Sequence, residues 1–262
     1  MLFTLLSGVL VGVLMGVTGA GGGILSVPAL VYGLGWSLPQ AAPVALVATC
    51  LGSAVGAVEG LRRRLVRYRA ALLIALASLP FSGLGVRAAQ HLPTSVLSAC
   101  FAVVLLIVAM RLLRQQSADT AELPRLAGAA HINPDTGRFE WNARTACVFG
   151  LIGGVAGFMS GLLGVGGGFV VVPLLRRFSD ASMHVVVATS LLIVALVSLG
   201  SLGNALANGA VLPAVITPWF AASVAAGMLV GRRIAHRLAA HHVQRGFAAL
   251  LLIVAASLLL RL

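Results

Sequence analysis

Apolar residues fall in long runs, at about 2–35, 39–60, 70–88, 94–113, 146–175, 185–206, 212–231 and 243–262. Six of these runs are near the roughly 20 residues that a helix needs to cross a bilayer. The first and fifth are longer. As single helices they would reach about 45–50 Å, against a hydrocarbon core of about 30 Å. Each is cut by glycines, "GAGGG" at 19–23 and "GVGGG" at 164–168. Glycine costs about 1 kcal/mol per interior helix position relative to alanine, so three adjacent glycines predict an opened helix at both places. The pattern predicts an all-α polytopic membrane protein of eight hydrophobic segments, with the first and fifth broken. Residues 114–145 are polar, contain proline and glycine, and carry no apolar run. They read as a connecting loop, with a short hairpin around "NPDTGRFEW".

The two broken segments are copies. At a constant offset of 145, Gly8–Pro28 matches Gly153–Pro173 at nine of 21 positions. Further on, "VATCL" (47–51) meets "VATSL" (187–191), and "GVRAAQHL" (85–92) meets "GRRIAHRL" (231–238). Two units are predicted, at 1–113 and 146–262, joined by the loop at 114–145.

Composition agrees with a membrane class. The chain is 60% hydrophobic and 9% charged, where soluble domains carry about 25% charged residues, and its mean hydropathy is +1.05. The net charge of +12 does not point to nucleic acid, because the basic residues sit between apolar runs and no basic domain stands apart from them. All 18 basic residues are Arg. Without Lys there is no Walker phosphate loop and no Schiff-base chemistry. Cys50, Cys100 and Cys147 form no CxxC pair, so no metal or cofactor site is expected. The N-terminal "MLFTLLSGVLVGVLMG" lacks a basic n-region and repeats internally, so it is not read as a cleaved signal.

Arginine placement chooses between two topologies. If all eight segments cross once, the two sides hold 11 and 7 Arg. If the first and fifth enter, break and return, the units are inverted, and loops 61–69, 111–144, 176–184 and 232–245 share a side holding 16 Arg against 2. The positive-inside rule prefers the second. It places the N-terminus outside and the central loop in the cytoplasm.

Irregular backbone at membrane depth persists only where protein buries it or where it lines a cavity, and inverted repeats with broken helices are the plan of many secondary transporters. After each break a short helix begins, "ILSVPALVYG" and "FVVVPLLRRF", with Pro28 or Pro173 expected in its first turns, where a missing donor costs little. Free amides at those helix starts can receive an anion. The candidate binding residues are therefore Gly21, Gly22, Gly23 and Ser26 in the first unit and Gly166, Gly167 and Gly168 in the second. Thr49, Thr189, Ser190 and Asn204 are added as polar groups of the following spans. Gly8, Gly12 and Gly16, with Gly153, Gly157 and Gly161, recur every fourth residue and read as close helix packing. Glu59 borders the Arg-rich loop and reads as an interfacial ion pair, with proton coupling as the sharper alternative. Asp180 and the histidines, among them His91 and His184, read as peripheral.

The doubled "GxGGGxxxxP" at Gly19–Pro28 and Gly164–Pro173, followed by "ATC" and "ATS", resembles the TauE/SafE family of sulfite exporters, also called toluene-sulfonate uptake permeases. The resemblance spans all but the central loop. It implies a multi-pass permease of the bacterial plasma membrane for sulfur-containing anions such as sulfite, sulfoacetate or other sulfonates. The expected partners are that anion, a coupling proton or sodium ion, and the bilayer. An anion channel, a structural membrane subunit and an intramembrane protease using Ser160 are the competing readings. The last lacks a His or Asp partner at span depth, so no enzyme is expected.

Overall fold

The computed structural model describes residues 2–19, 21–117, 142–179, 182–235 and 240–260. Within them lie ten α-helices: α1 (Leu2–Thr18), α2 (Ser26–Leu34), α3 (Leu38–Arg62), α4 (Tyr68–His91), α5 (Thr94–Ser117), α6 (Ala143–Leu163), α7 (Gly168–Phe178), α8 (Met183–Ala207), α9 (Ile216–Ala235) and α10 (Ala240–Leu259). A 3-10 turn, Gly21–Leu25, leads into α2. The chain is thus an all-α, multi-spanning protein. Among the described residues, α3, α4, α5, α6 and α8 are long and apolar enough to cross a membrane. Phe3–Thr18, Gly23–Leu34 and Gln244–Leu259 are shorter apolar helices, and α9 ends on Arg232 and Arg233. Large apolar side chains such as Leu76, Leu151 and Ile253 lie on the outer faces, as a lipid-facing surface requires. Most of the predicted loop at 114–145, its hairpin included, and Asp180 lie outside the described residues. Helix α5 continues to Ser117, and α6 starts at Ala143.

Local chemistry places the helix ends. The Ser37 amide donates to Gln40 Oε1 at 3.2 Å, part of a capping box that opens α3, a pairing that satisfies otherwise orphaned donors. The left-handed Gly35 (φ 68°) closes α2. In the second half α7 starts directly at Gly168, so Pro173 lies inside the helix, beyond its first turn. Pro28 keeps the expected early position in α2, because the 3-10 turn takes up the preceding residues.

Side-chain neighbours give the helix directions. Gly8 faces Ser223 and Gly16 faces Gly231, so α1 and α9 run parallel. Gly153 faces Ile74 and Gly161 faces Ser82, so α6 and α4 run parallel. Cys50 meets Ala195 and Gly60 meets Ala188, so α3 and α8 cross antiparallel. Phe3 lies against Gly33, so α2 returns alongside α1. The spanning windows of α3 and α8 are 61% and 67% buried against 28% for α5, which puts the α3/α8 crossing at the centre and α5, paired with α10, at the periphery. These directions gather every described arginine except Arg87 at one end of the bundle, where α3, α5, α7 and α9 finish.

The predicted packing glycines are where backbones meet. A Cβ on Gly12 would stand 2.8 Å from the Met228 amide nitrogen, and one on Gly157 would stand 2.8 Å from Ser78 Cα. On the partner helices, Gly227, Gly231 and Gly85 are blocked in turn by the carbonyls of Val9, Val13 and Phe158. In lipid there is little hydrophobic drive between helices, so this close approach supplies the van der Waals contact. Gly12→Leu and Gly157→Leu are each expected to lower unfolding free energy in mixed micelles by about 1–3 kcal/mol or more. Gly150, also within a helix, has open space around it, so Gly150→Ala is expected to raise stability by about 0.5–1 kcal/mol. Denaturant titration checks both signs, and wild-type stability in Gly157→Leu would contradict the packing account.

Candidate functional site

The two glycine breaks converge on one residue of α3. A Cβ on Gly23 would lie 2.8 Å from Thr49 Cγ2, and one on Gly166 would lie 2.8 Å from the same atom while colliding with Ser198 Oγ. Ser26 Oγ stands 3.4 Å from Thr49 Oγ1. Gly23, Ser26, Thr49 and Gly166, proposed from three separate stretches of sequence, therefore share one buried locus beside the α3/α8 crossing, with Gly21 and Gly22 in the 3-10 turn that leads into it. Gly164, Gly166 and Gly167 have φ of 72°, 72° and 69°, in the left-handed region that costs L-residues about 1–2 kcal/mol each. Gly167 is the N-cap of α7, and the amides of Val170 and Val171 donate to its carbonyl. The amides of Gly168 and Phe169 precede the first bonds of that ladder, as at any helix start.

Two hydroxyls at this locus were not singled out from sequence. Ser53 and Ser198 are fully buried, and neither hydroxyl has a hydrogen-bond partner among the described residues. Ser53 lies one turn beyond Thr49 on the same helix face, and Ser198 is the residue against Gly166. Other helical serines behave differently. Ser78, Ser82, Ser190, Ser223 and Ser257 each donate to the carbonyl three residues back, the common way for serine to satisfy itself in a helix. A buried, unpartnered hydroxyl in a native fold calls for a reason. The sequence signal available was the i, i+4 spacing of Thr49 and Ser53.

The remaining candidates lie elsewhere. Thr189 accepts from the Arg67 amide at 3.1 Å, at the start of α4. Ser190 donates to Val187 O at 2.9 Å. Asn204 Nδ2 donates to Leu79 O and Ser82 Oγ at 3.1 and 2.8 Å, tying α8 to α4. The antiparallel crossing explains this, since Thr49 and Thr189 fall on opposite sides of the crossing point. Glu59, the sole carboxylate residue among the described residues, pairs through Oε1 with Arg63 at 2.8 Å and through Oε2 with Arg232 at 2.7 Å. Arg232 also donates to Gly56 O at 2.9 Å, so this ion pair pins α3 to α9. Ser160 is buried and accepts a hydrogen bond from Ser201 at 2.9 Å. Among the described residues no three His, Cys, Asp or Glu side chains group as metal ligands.

Comparison with known proteins agrees with this architecture. The family model described as "Sulfite exporter TauE/SafE" matches residues 4–258. Three curated relatives are each called a probable membrane transporter protein. The one named y4hK from Sinorhizobium fredii is 26% identical over 195 residues, covering 74% of this chain and 72% of its own. MJ0441 from Methanocaldococcus jannaschii is 25% identical, covering 74% and 68%. YunE from Bacillus subtilis is 25% identical, covering 73% of each. No solved structure matches. Bacterial and archaeal relatives alike are named as transporters, which is the role a multi-spanning helical bundle with a polar break at its centre fits, and the chain is not an enzyme. It belongs to the TauE/SafE family of membrane transporters.

Proposed function

We propose that this protein is a secondary transporter of a small sulfur oxyanion, sulfite or an organosulfonate, built as two inverted units of residues 1–113 and 146–262. The anion is received where the two glycine breaks meet Thr49. The observation that carries this reading is the pair of buried hydroxyls without a hydrogen-bond partner among the described residues, Ser198 against Gly166 and Ser53 one turn beyond Thr49. Hydroxyl and amide donors with no side chain in the way are what an oxyanion needs when it leaves water. Gly167 and Gly168, at the start of α7, add amide donors to the same locus.

The opposite directions of corresponding helices, α1 against α6 and α4 against α9, support the inversion. So does the gathering of arginines at one end, which the positive-inside rule assigns to the cytoplasm. Coupling to a proton or sodium ion belongs to this reading as well. Glu59 has both oxygens engaged by guanidinium groups and sits at the arginine-bearing end, so its role is to tie α3 to α9 rather than to travel with the anion. A bacterial plasma membrane is the proposed location.

Two experiments test the reading. Removing an unpartnered hydroxyl leaves folding intact or improves it, so Ser198→Ala is expected to match or exceed wild-type thermal stability. In proteoliposomes Thr49→Val/Ser198→Ala is expected to lose about tenfold in sulfite flux, equivalent to about 1.4 kcal/mol. Normal flux in that double variant removes the hydroxyls from the pathway. For topology, single cysteines replacing Arg64 and Val211 in a Cys-free background are expected to react with an impermeant maleimide only from the cytoplasmic and only from the external face, respectively. Labelling of both from one face contradicts the inverted arrangement.

A further inference from the structure

A cavity of about 90 Å³ opens at the arginine-bearing end, between the end of α1, α5, α7 and α10. By the same measure one water needs roughly 10–15 Å³, so a small solute fits. Arg111 of α5 and Arg176 of α7 both line it, and Gly168 lines it at the start of α7. Neither arginine makes an ion pair to a described residue. Most of the remaining wall is apolar, including Val108, Phe169, Val172 and Phe247. Two guanidinium groups facing one apolar hollow match an oxyanion with an apolar body, since the planar guanidinium fork pairs with two oxygens at once.

The internal repeat gives this cavity a counterpart. "FAVVLLIVAM" (101–110) on α5 aligns with "FAALLLIVAA" (247–256) on α10 with seven identities in ten. The same register puts Arg111 opposite Ser257, and the offset of the broken segments puts Arg176 and Arg177 opposite Val31 and Tyr32. At the other end of the bundle, Tyr32 Oη and Ser257 Oγ are hydrogen-bonded at 2.6 Å and join α2 to α10. At the arginine-bearing end the counterparts of Ser257 and Tyr32 are Arg111 and Arg177, with no bond between them among the described residues, and the cavity at this α5–α7 junction is lined by Arg111 and by Arg176, the neighbour of Arg177.

We propose that Arg111 and Arg176 together form an oxyanion-binding site, with the anion's apolar substituent against Phe169, Val172 and Phe247. This rests on the transporter reading for its purpose, but not for the binding itself. The anion is a solute in transit or a lipid phosphate, and the two sources share this chemistry.

The test measures benzenesulfonate affinity calorimetrically, using the full chain in phosphatidylcholine nanodiscs. Wild type is expected to bind, and to bind methanesulfonate, which lacks the large apolar body, more weakly. Arg111→Gln/Arg176→Gln is expected to lose at least tenfold, with part of the loss recovered in Arg111→Lys/Arg176→Lys. Both side chains are exposed, so unfolding is not the expected outcome, and circular dichroism checks it. Adding phosphatidylglycerol separates the sources. Competition with benzenesulfonate assigns the site to a lipid phosphate, and unchanged affinity assigns it to the solute. Equal benzenesulfonate affinity in wild type and in the Gln double variant overturns the proposal, as does the absence of both benzenesulfonate binding and any phosphatidylglycerol effect on wild-type stability. Flux in proteoliposomes is scored separately. Sulfite flux with arginine-independent binding sinks this site and leaves the transporter reading standing, whereas arginine-dependent binding without flux of either anion does the reverse.

Discussion

Backbone-to-backbone contact at glycine is the constraint on which the rest of this structure depends. Helix α1 touches α9 through Gly8, Gly12 and Gly16, and α6 touches α4 through Gly153, Gly157 and Gly161. In each pair one helix comes from the first five and the other from the last five. The bundle is therefore interlocked, with each broken segment clamped against the opposite half. Because bulk apolar burial gives little drive between helices in lipid, the absence of a Cβ at these positions matters more than the hydrophobicity around them. The clamp delivers the 3-10 turn at Gly21–Leu25 and the left-handed turn at Gly164–Gly167 to the same threonine on α3.

The repeat does not yield two identical breaks. The first half winds its glycines into a 3-10 turn before α2, while the second uses left-handed glycines and starts α7 at once. The hydroxyls differ in the same way. Thr49 joins the breaks, and its repeat partner Thr189 takes an amide from the loop before α4. A carrier whose halves were perfectly equivalent would have equal energies when open to either side. Here the departures from symmetry include the Tyr32–Ser257 bond at one end of the bundle and the arginine-lined cavity at the other.

Much of this was legible in the residues themselves. Glycine at every fourth position announced close helix contact, and glycine clusters inside over-long apolar runs announced broken segments. The 16-to-2 division of arginines pointed to the inverted arrangement proposed above. Hydroxyl roles were less legible, because a serine in an apolar run looks the same whether it donates to its own helix, as Ser190 does, or has no partner among the described residues, as with Ser198. That difference depends on where α3 and α8 cross, a tertiary quantity. Arg111 and Arg176 were counted only as markers of sidedness, since nothing local indicates that they share a cavity. Asn204 was chosen because a side-chain amide in a span can donate to an oxyanion; what the sequence could not show is that its amide donates to Leu79 O and Ser82 Oγ on α4.

In the proposed mechanism, bare backbone and the Ser53 and Ser198 hydroxyls at the α3/α8 crossing receive the anion. Diffraction from crystals grown with selenite, a sulfite analogue whose selenium scatters anomalously, tests it most directly. An anomalous peak enclosed by Thr49, Ser53, Ser198 and the Gly164–Gly168 turn is the expected result. Selenite transported by the same preparation, but with anomalous density confined to the bundle's outer surface, would contradict it.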